Sequence, residues 1–161
     1  MNCKQTNTLV ATRTKLSMKD KGSSIGPTLP KRHIGSLIYL IATRLDTMFA
    51  ISLISRFMES PKDIHWQVGK RILRYIVSTS SYGIMYSCTY KKSLVGYTYS
   101  DFAGNTNDRK STSGYAFHLG LGLVSWESKK QLIVTISSME VKYMSATSPA
   151  CHVGCLRKNI R

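Results

Sequence analysis

The sequence predicts an α+β fold in which helices come first, mostly antiparallel strands follow, and a single helix ends the order. Three observations carry that expectation. Apolar residues recur at helical spacing from Ile34 to about residue 80. Beyond Tyr82-Gly83 the period shortens toward two, between turns that contain Gly, Asn, Asp or Lys. Ser137-Ser138-Met139-Glu140 then has the form of a capping box, opening a helix that runs to about Lys158.

Residues 1–33 are polar and basic, with Gly22-Ser23-Ser24, Pro27 and Pro30, and read as an extended lead-in. Residues 34–80 form the helical region. Leu37, Ile38, Leu40 and Ile41 mark one helix, and Phe49, Leu53, Ile54 and Phe57 a second, with Asp46 placed to cap it. Ser60-Pro61 predicts the start of a third, Ser60 as N-cap and Pro61 in the first turn, where its missing N–H costs nothing. Its inner face carries Ile64, Val68, Ile72, Leu73 and Ile76; Lys62, Lys70, Arg71 and Arg74 point mostly to water. Residues 81–161 carry the strand pattern, expected at Ile84–Ser87, Leu94–Tyr99, Tyr115–Leu119, Leu123–Glu127 and Leu132–Ile136.

At 161 residues the chain can bury a core but is short for two independent domains, so one compact unit, or one domain with an incomplete neighbour, is expected. The formal charge is +15, spread over both halves, a field that attracts nucleic acid, although without a defined groove it supports only weak, non-specific, salt-sensitive binding. A basic solvated surface is the plain alternative. Cys3, Cys88, Cys151 and Cys155 give neither a paired zinc pattern nor a disulfide framework. Cys151 and Cys155 can share a helical face beside His152, but two thiols make a poor zinc site. The first residues lack the apolar core of a secretory signal and no stretch is long enough to span a bilayer, so an intracellular protein, cytoplasmic or nuclear, is expected, without membrane or small-molecule partners.

Three ordered segments carry a resemblance. The first runs from Ile34-Gly35-Ser36-Leu37-Ile38-Tyr39-Leu40 through Ala42-Thr43-Arg44 and Ser55-Arg56-Phe57-Met58 to Lys70-Arg71-Ile72-Leu73-Arg74-Tyr75. The second is Val95-Gly96-Tyr97-Thr98-Tyr99-Ser100-Asp101-Phe102-Ala103-Gly104, followed by Asp108-Arg109-Lys110-Ser111-Thr112-Ser113-Gly114-Tyr115. The third is Val124-Ser125-Trp126, Ser128-Lys129-Lys130-Gln131 and Ser137-Ser138-Met139-Glu140-Val141-Lys142-Tyr143-Met144. In this order they resemble the Pol polyprotein of copia-type retrotransposons. The first is similar to the helical connection after the reverse transcriptase, the others to the beginning of its RNase H domain. The resemblance thus implies a helical connection followed by an incomplete RNase H-like fold.

The family's reaction cleaves the RNA strand of an RNA–DNA hybrid with two Mg²⁺ ions held by carboxylates. The resemblance places the first ligand, an Asp, where this chain has Tyr99, a phenol that does not replace a carboxylate on Mg²⁺ at neutral pH. It places the next, a Glu, at Lys142, where the charge is reversed and divalent cations are repelled. A third Asp, in a Cys-Asp-Asn segment, and the polymerase's own Asp pair are expected outside residues 1–161. No intact catalytic site and no cofactor are therefore expected. Asp101 and Glu140 are the residual acids. Position 101 shares a strand face with 99, whereas 140 is turned about 200° from 142 on a helix, so the two do not easily converge. Their plain readings are a strand-end turn residue and a helix-cap partner.

Phosphate contacts can outlive catalysis, and Arg109, Lys110, Lys129 and Lys130 are the candidate nucleic-acid-binding residues, with solvated turn cations as the plain alternative. Trp66 and Trp126 read as packing aromatics rather than base-stacking platforms. Three functions follow: a degenerate Pol fragment, a non-catalytic nucleic-acid-binding module, or a secreted effector. The last rests on Arg71-Ile72-Leu73-Arg74, which has the RxLR form, but those residues also fit inside the third helix.

Overall fold

The computed structural model describes residue 4, residues 6–10, 16–87 and 93–159, so Cys3 and Cys88 lie outside the described residues. The order is α1 (Thr28–Leu40), α2 (Leu45–Ser55), α3 (Asp63–Ser78), β1 (Leu94–Ser100), β2 (Thr112–Leu119), β3 (Gly122–Lys130) and α4 (Ser138–Asn159), an α+β arrangement. The chain divides into two compact units, Met1–Gly83 and Ile84–Arg161.

In the N-terminal unit three helices enclose Ile34, Leu37, Ala50, Ile51, Ile54, Phe57, Met58, Val68 and Ile72, and Leu16 joins this core. The inner face expected for the third helix is the observed one, with Ile64, Leu73 and Ile76 at its margin. Helix α1 begins at Thr28, inside the stretch expected to be extended, because Pro27 and Pro30 fall at the N-cap and in the first turn, where proline's fixed φ suits a helix. The lead-in is tied down as well: Ile25 N–H donates to the Pro61 carbonyl at 2.9 Å and Asp63 N–H to the Ser23 carbonyl at 3.1 Å.

Helix α3 starts at Asp63 with Lys62 as N-cap, two residues beyond the expected Ser60. The reason is His65, which is fully buried. Its Nδ1 accepts the Lys62 N–H at 3.2 Å, its Nε2 lies 3.2 Å from the Ser17 carbonyl, and its ring stacks on Phe57 at 4.3 Å. These contacts fix the neutral Nε2–H tautomer, because Nδ1 acts as an acceptor. Arg71, expected in water, donates to the Thr8 carbonyl at 3.0 Å, and Lys62 reaches the Asp20 carbonyl.

Asp46 lies in the first turn of α2, two residues beyond the N-cap position at Arg44. Its carboxylate accepts two hydrogen bonds from Arg44, at 3.0 and 2.7 Å, and one from the Tyr75 hydroxyl at 2.9 Å. Arg44 is almost wholly buried and also donates to the Thr79 carbonyl and hydroxyl, at 3.0 and 2.6 Å. One guanidinium thus joins the start of α2 to the end of α3. The hydrogen bond from Arg44 holds the Asp46 carboxyl below its ordinary range, against the opposite pull of burial.

In the C-terminal unit β1, β2 and β3 form an antiparallel sheet in that order. The β2–β3 hairpin turns through Gly120, whose φ of +61° is the left-handed conformation glycine allows. Tyr115, Phe117 and Ser125 face α4 through His152, at ring distances of 5.5 and 5.9 Å and a 2.9 Å hydrogen bond to Ser125. Phe117 crosses over Gly96, where a Cβ would come within 2.4 Å of its ring. Two expected strands do not form. Residues 84–87 lie outside any strand, and Tyr86 donates instead to the Leu123 carbonyl at 2.7 Å. Residues 132–136 also lie outside any strand, because β3 ends at Lys130 and the Gln131 N–H turns to the Ser111 carbonyl at 2.8 Å.

Two outcomes follow for the N-terminal unit. Arg44→Leu leaves the Asp46 carboxylate with the Tyr75 hydroxyl as its remaining side-chain donor and the Thr79 carbonyl without the guanidinium, so hydrogen exchange of α2 and α3 amides should show a loss of about 2–3 kcal/mol. Burial pushes the His65 imidazole below its ordinary value of 6.5, outweighing the Ser17 carbonyl and Asp20. Its contribution is then complete above pH 6.5 and is lost as pH falls from there toward the lowered folded value. Exchange protection of α3 should decline between pH 7 and pH 5, and His65→Gln should flatten that decline. Asp46 acts in a separate window, below its ordinary 3.8.

Candidate functional site

The second strand segment and the last helix meet where the outer edge of β1 runs beside the first turns of α4. Thr98, Tyr99 and Ser100 from the strand, and Met139, Lys142, Tyr143 and Ala146 from the helix, line a cleft of about 540 Å³. These four helix residues stand at i, i+3, i+4 and i+7, one face of a helix, and Ser145 beside them also borders the cleft. Tyr99 and Lys142 therefore border the same space, although 42 residues lie between them in sequence. Tyr99 is 60% exposed and shares its strand face with Tyr97, whose ring meets His118 edge-on at 5.8 Å. The face toward α4 belongs to Gly96, Thr98 and Ser100.

Neither residual acid lines this cleft. The Asp101 N–H donates to the Thr112 carbonyl at 3.0 Å, and the Asp101 carboxylate accepts the Thr112 N–H, which closes the turn between β1 and β2. Gly104 leaves room for that carboxylate, since a Cβ there would sit 2.1 Å from it. Ala103, in a left-handed conformation at φ +51°, donates its N–H to the buried Ser111 hydroxyl at 3.0 Å. Glu140 is spent on the helix start: it accepts the Ile136 N–H at 2.8 Å, and its own N–H donates to the Ser137 hydroxyl at 3.1 Å. Both acids thus do local backbone work. The cleft offers phenols, hydroxyls, a thioether and an ammonium, a donor set that does not fit a divalent magnesium ion, which takes oxygen ligands rich in carboxylate.

The four candidate phosphate-binding residues separate by environment. Arg109 is exposed in the turn at φ +57°. Lys110 is half-buried, with its N–H on the Asp108 carboxylate at 3.2 Å. Lys130 pairs with the same carboxylate at 2.6 Å. Burial raises the Asp108 carboxyl, but the Lys130 and Lys110 hydrogen bonds outweigh it and hold the group below its ordinary value. Lys129 is exposed and borders a second cavity of about 260 Å³, where Glu127 and Gln131 also lie. Arg109 and Lys129 are therefore the freer cations.

Trp66 packs between the His33 ring, at 5.4 Å, and the Lys70 ammonium, 5.5 Å from the ring centre, and Trp126 is half-buried on β3. Arg71-Ile72-Leu73-Arg74 lies within α3, with Ile72 fully buried. Cys151 and Cys155 are exposed on α4, and among the described residues no group of three His, Cys, Asp or Glu is placed to hold a metal ion. No helix among the described residues is long and apolar enough to cross a membrane. The sequence reading missed Tyr143, the most exposed aromatic of the cleft; its position one residue after Lys142 on the i, i+3, i+4 stripe was the available signal.

No protein-family model matches the chain, and no solved structure does. The chain is 45% identical over 113 residues to the secreted RxLR effector protein 161 of Plasmopara viticola, covering 70% of this chain and 80% of that protein. It is 38% identical over 148 residues, 92% of its length, to the retrovirus-related Pol polyprotein from transposon RE2 of Arabidopsis thaliana, of which it covers 10%. The corresponding polyprotein from transposon TNT 1-94 of Nicotiana tabacum is 35% identical over 153 residues, and 11% of it is covered. The chain spans about a tenth of the length of these polyproteins. With more than nine tenths of its length matched at 35–38% identity, the chain belongs to the family of retrovirus-related Pol polyproteins of transposons.

Proposed function

We propose that the chain is a degenerate, hydrolytically silent piece of a transposon Pol polyprotein, joining the end of the reverse transcriptase to the start of its RNase H domain, and that it retains weak, non-specific affinity for RNA and DNA inside the cell. The observation that carries this reading is the cleft beside β1. The positions matched to the family's first two metal ligands, Tyr99 and Lys142, border it, and the nearby carboxylates of Asp101 and Glu140 are held by backbone N–H groups. On this reading the cleft binds no Mg²⁺. Purified protein should leave a labelled RNA–DNA hybrid intact in Mg²⁺; cleavage that disappears on Asp101→Asn would overturn the reading. The retained affinity should fall steeply with salt, and Arg109→Gln and Lys129→Gln should each lower the slope of log affinity against log salt by up to about one, whereas Lys130→Gln, already paired with Asp108, should change it less.

The similarity to an effector supports a second reading, in which the chain is exported and acts outside the producing cell. Against it stands the burial of Ile72 and the hydrogen bonding of Arg71 to Thr8, which keep the RxLR-like residues inside a folded helix. Export of a reporter fused behind residues 1–80 would favour the effector reading.

A further inference from the structure

We infer that the cleft along the outer edge of β1 is a binding site for single-stranded nucleic acid, with unpaired bases stacking on Tyr143 and Tyr99 and a phosphate held by Lys142. The inference deepens the nucleic-acid reading above and rests on it.

Tyr143 and Tyr99 are 72% and 60% exposed, and their side chains make no hydrogen bond or ring contact among the described residues. Large exposed aromatics on a basic protein lose little on solvation if a flat partner covers them, and a nucleobase is such a partner. Lys142 stands next to Tyr143 on the same helical face, exposed and without an ion pair among the described residues. No acidic side chain lines the cleft, because Asp101 and Glu140 are turned to backbone donors. A polyanion therefore meets one cation and no opposing charge there. The volume of about 540 Å³ suits a mononucleotide unit rather than a helical duplex.

The geometry also chooses between nucleic-acid forms. β1 is the outer strand of the sheet, with β2 its neighbour among the described residues. Tyr143 stands on the helix side of that edge and Tyr99 on the face shared with Tyr97, so a strand lying along the edge meets aromatic rings on both sides. Successive unpaired bases can turn to the two sides. In a duplex or an RNA–DNA hybrid the base faces are already stacked, so these rings gain nothing from it.

The test is fluorescence anisotropy of the full chain with oligo(dT), oligo(U) and an RNA–DNA hybrid of equal length, over a salt series. The expected result is tighter binding of single strands than of the hybrid, with similar affinity for oligo(dT) and oligo(U) if the site reads base faces and phosphate, and a preference for one of them if it also reads the sugar. Tyr143→Ala and Tyr99→Ala should each weaken single-strand binding by roughly tenfold, while Tyr143→Phe and Tyr99→Phe retain it. Lys142→Gln should lower the salt slope by about one, and Lys31→Gln, the same charge change on exposed α1, should leave it nearly unaltered. Circular dichroism establishes that each variant is folded. If the hybrid binds as well as single strands and the tyrosine variants bind like the parent, the inference fails while non-specific nucleic-acid binding stands. If no polymer binds, both fail.

Discussion

The hydrogen-bonded turn that Asp101 closes sets the geometry of the whole C-terminal unit. Its carboxylate takes the Thr112 N–H and its own N–H meets the Thr112 carbonyl, which fixes where β1 ends and β2 begins. The pairing of Tyr99 with Gly114, and of Gly96 with Phe117, follows from that register. A slip of β1 by one residue against β2 would turn every aromatic on β1 to the opposite face. The same hydrogen bonds occupy a carboxylate that lies next in sequence to a cleft residue, Ser100.

A carboxylate cannot easily serve a metal and close a turn at the same time. Gly104 makes room for the Asp101 side chain in its turn, and Ser111 supports Ala103 from inside the loop. Glu140 is held in the same manner at the start of α4 by the Ile136 N–H. The two acids thus build the strand end and the helix start that frame the cleft, and the surface left between them is aromatic and basic. The charge of +15 then gives that surface a sign that draws polyanions.

In the N-terminal unit two buried polar side chains also draw on partners distant in sequence. Arg44 reaches Thr79, and His65 reaches Ser17. A charged or titratable group that enters the core brings its hydrogen-bond partners with it, because leaving them unpaired costs more than the bonds return. This explains two misplaced expectations. Asp46 looked like a cap because it begins an apolar run, but Arg44 and Tyr75 claim its oxygens. Ser60-Pro61 looked like a helix start, but the buried His65 ring provides the acceptor at Lys62.

Local chemistry was legible in the chain itself. The apolar spacing of Ile64, Val68, Ile72 and Ile76 defined one face of α3, and the Ser137 hydroxyl and Glu140 acted together at the start of α4, because both depend on neighbours within one or two helical turns. The expectation of a lost carboxylate site at positions 99 and 142 came from the resemblance to the family, not from the two residues alone. What the sequence could not determine was pairing. Residues 84–87 and 132–136 have strand-like composition but no partner strand among the described residues, and a strand exists only through its neighbour's hydrogen bonds. The cleft was decided the same way: Tyr99, Lys142 and Tyr143 share it because the hairpin register and the seat of His152 against Phe117 bring β1 and α4 side by side, a juxtaposition that no local pattern encodes.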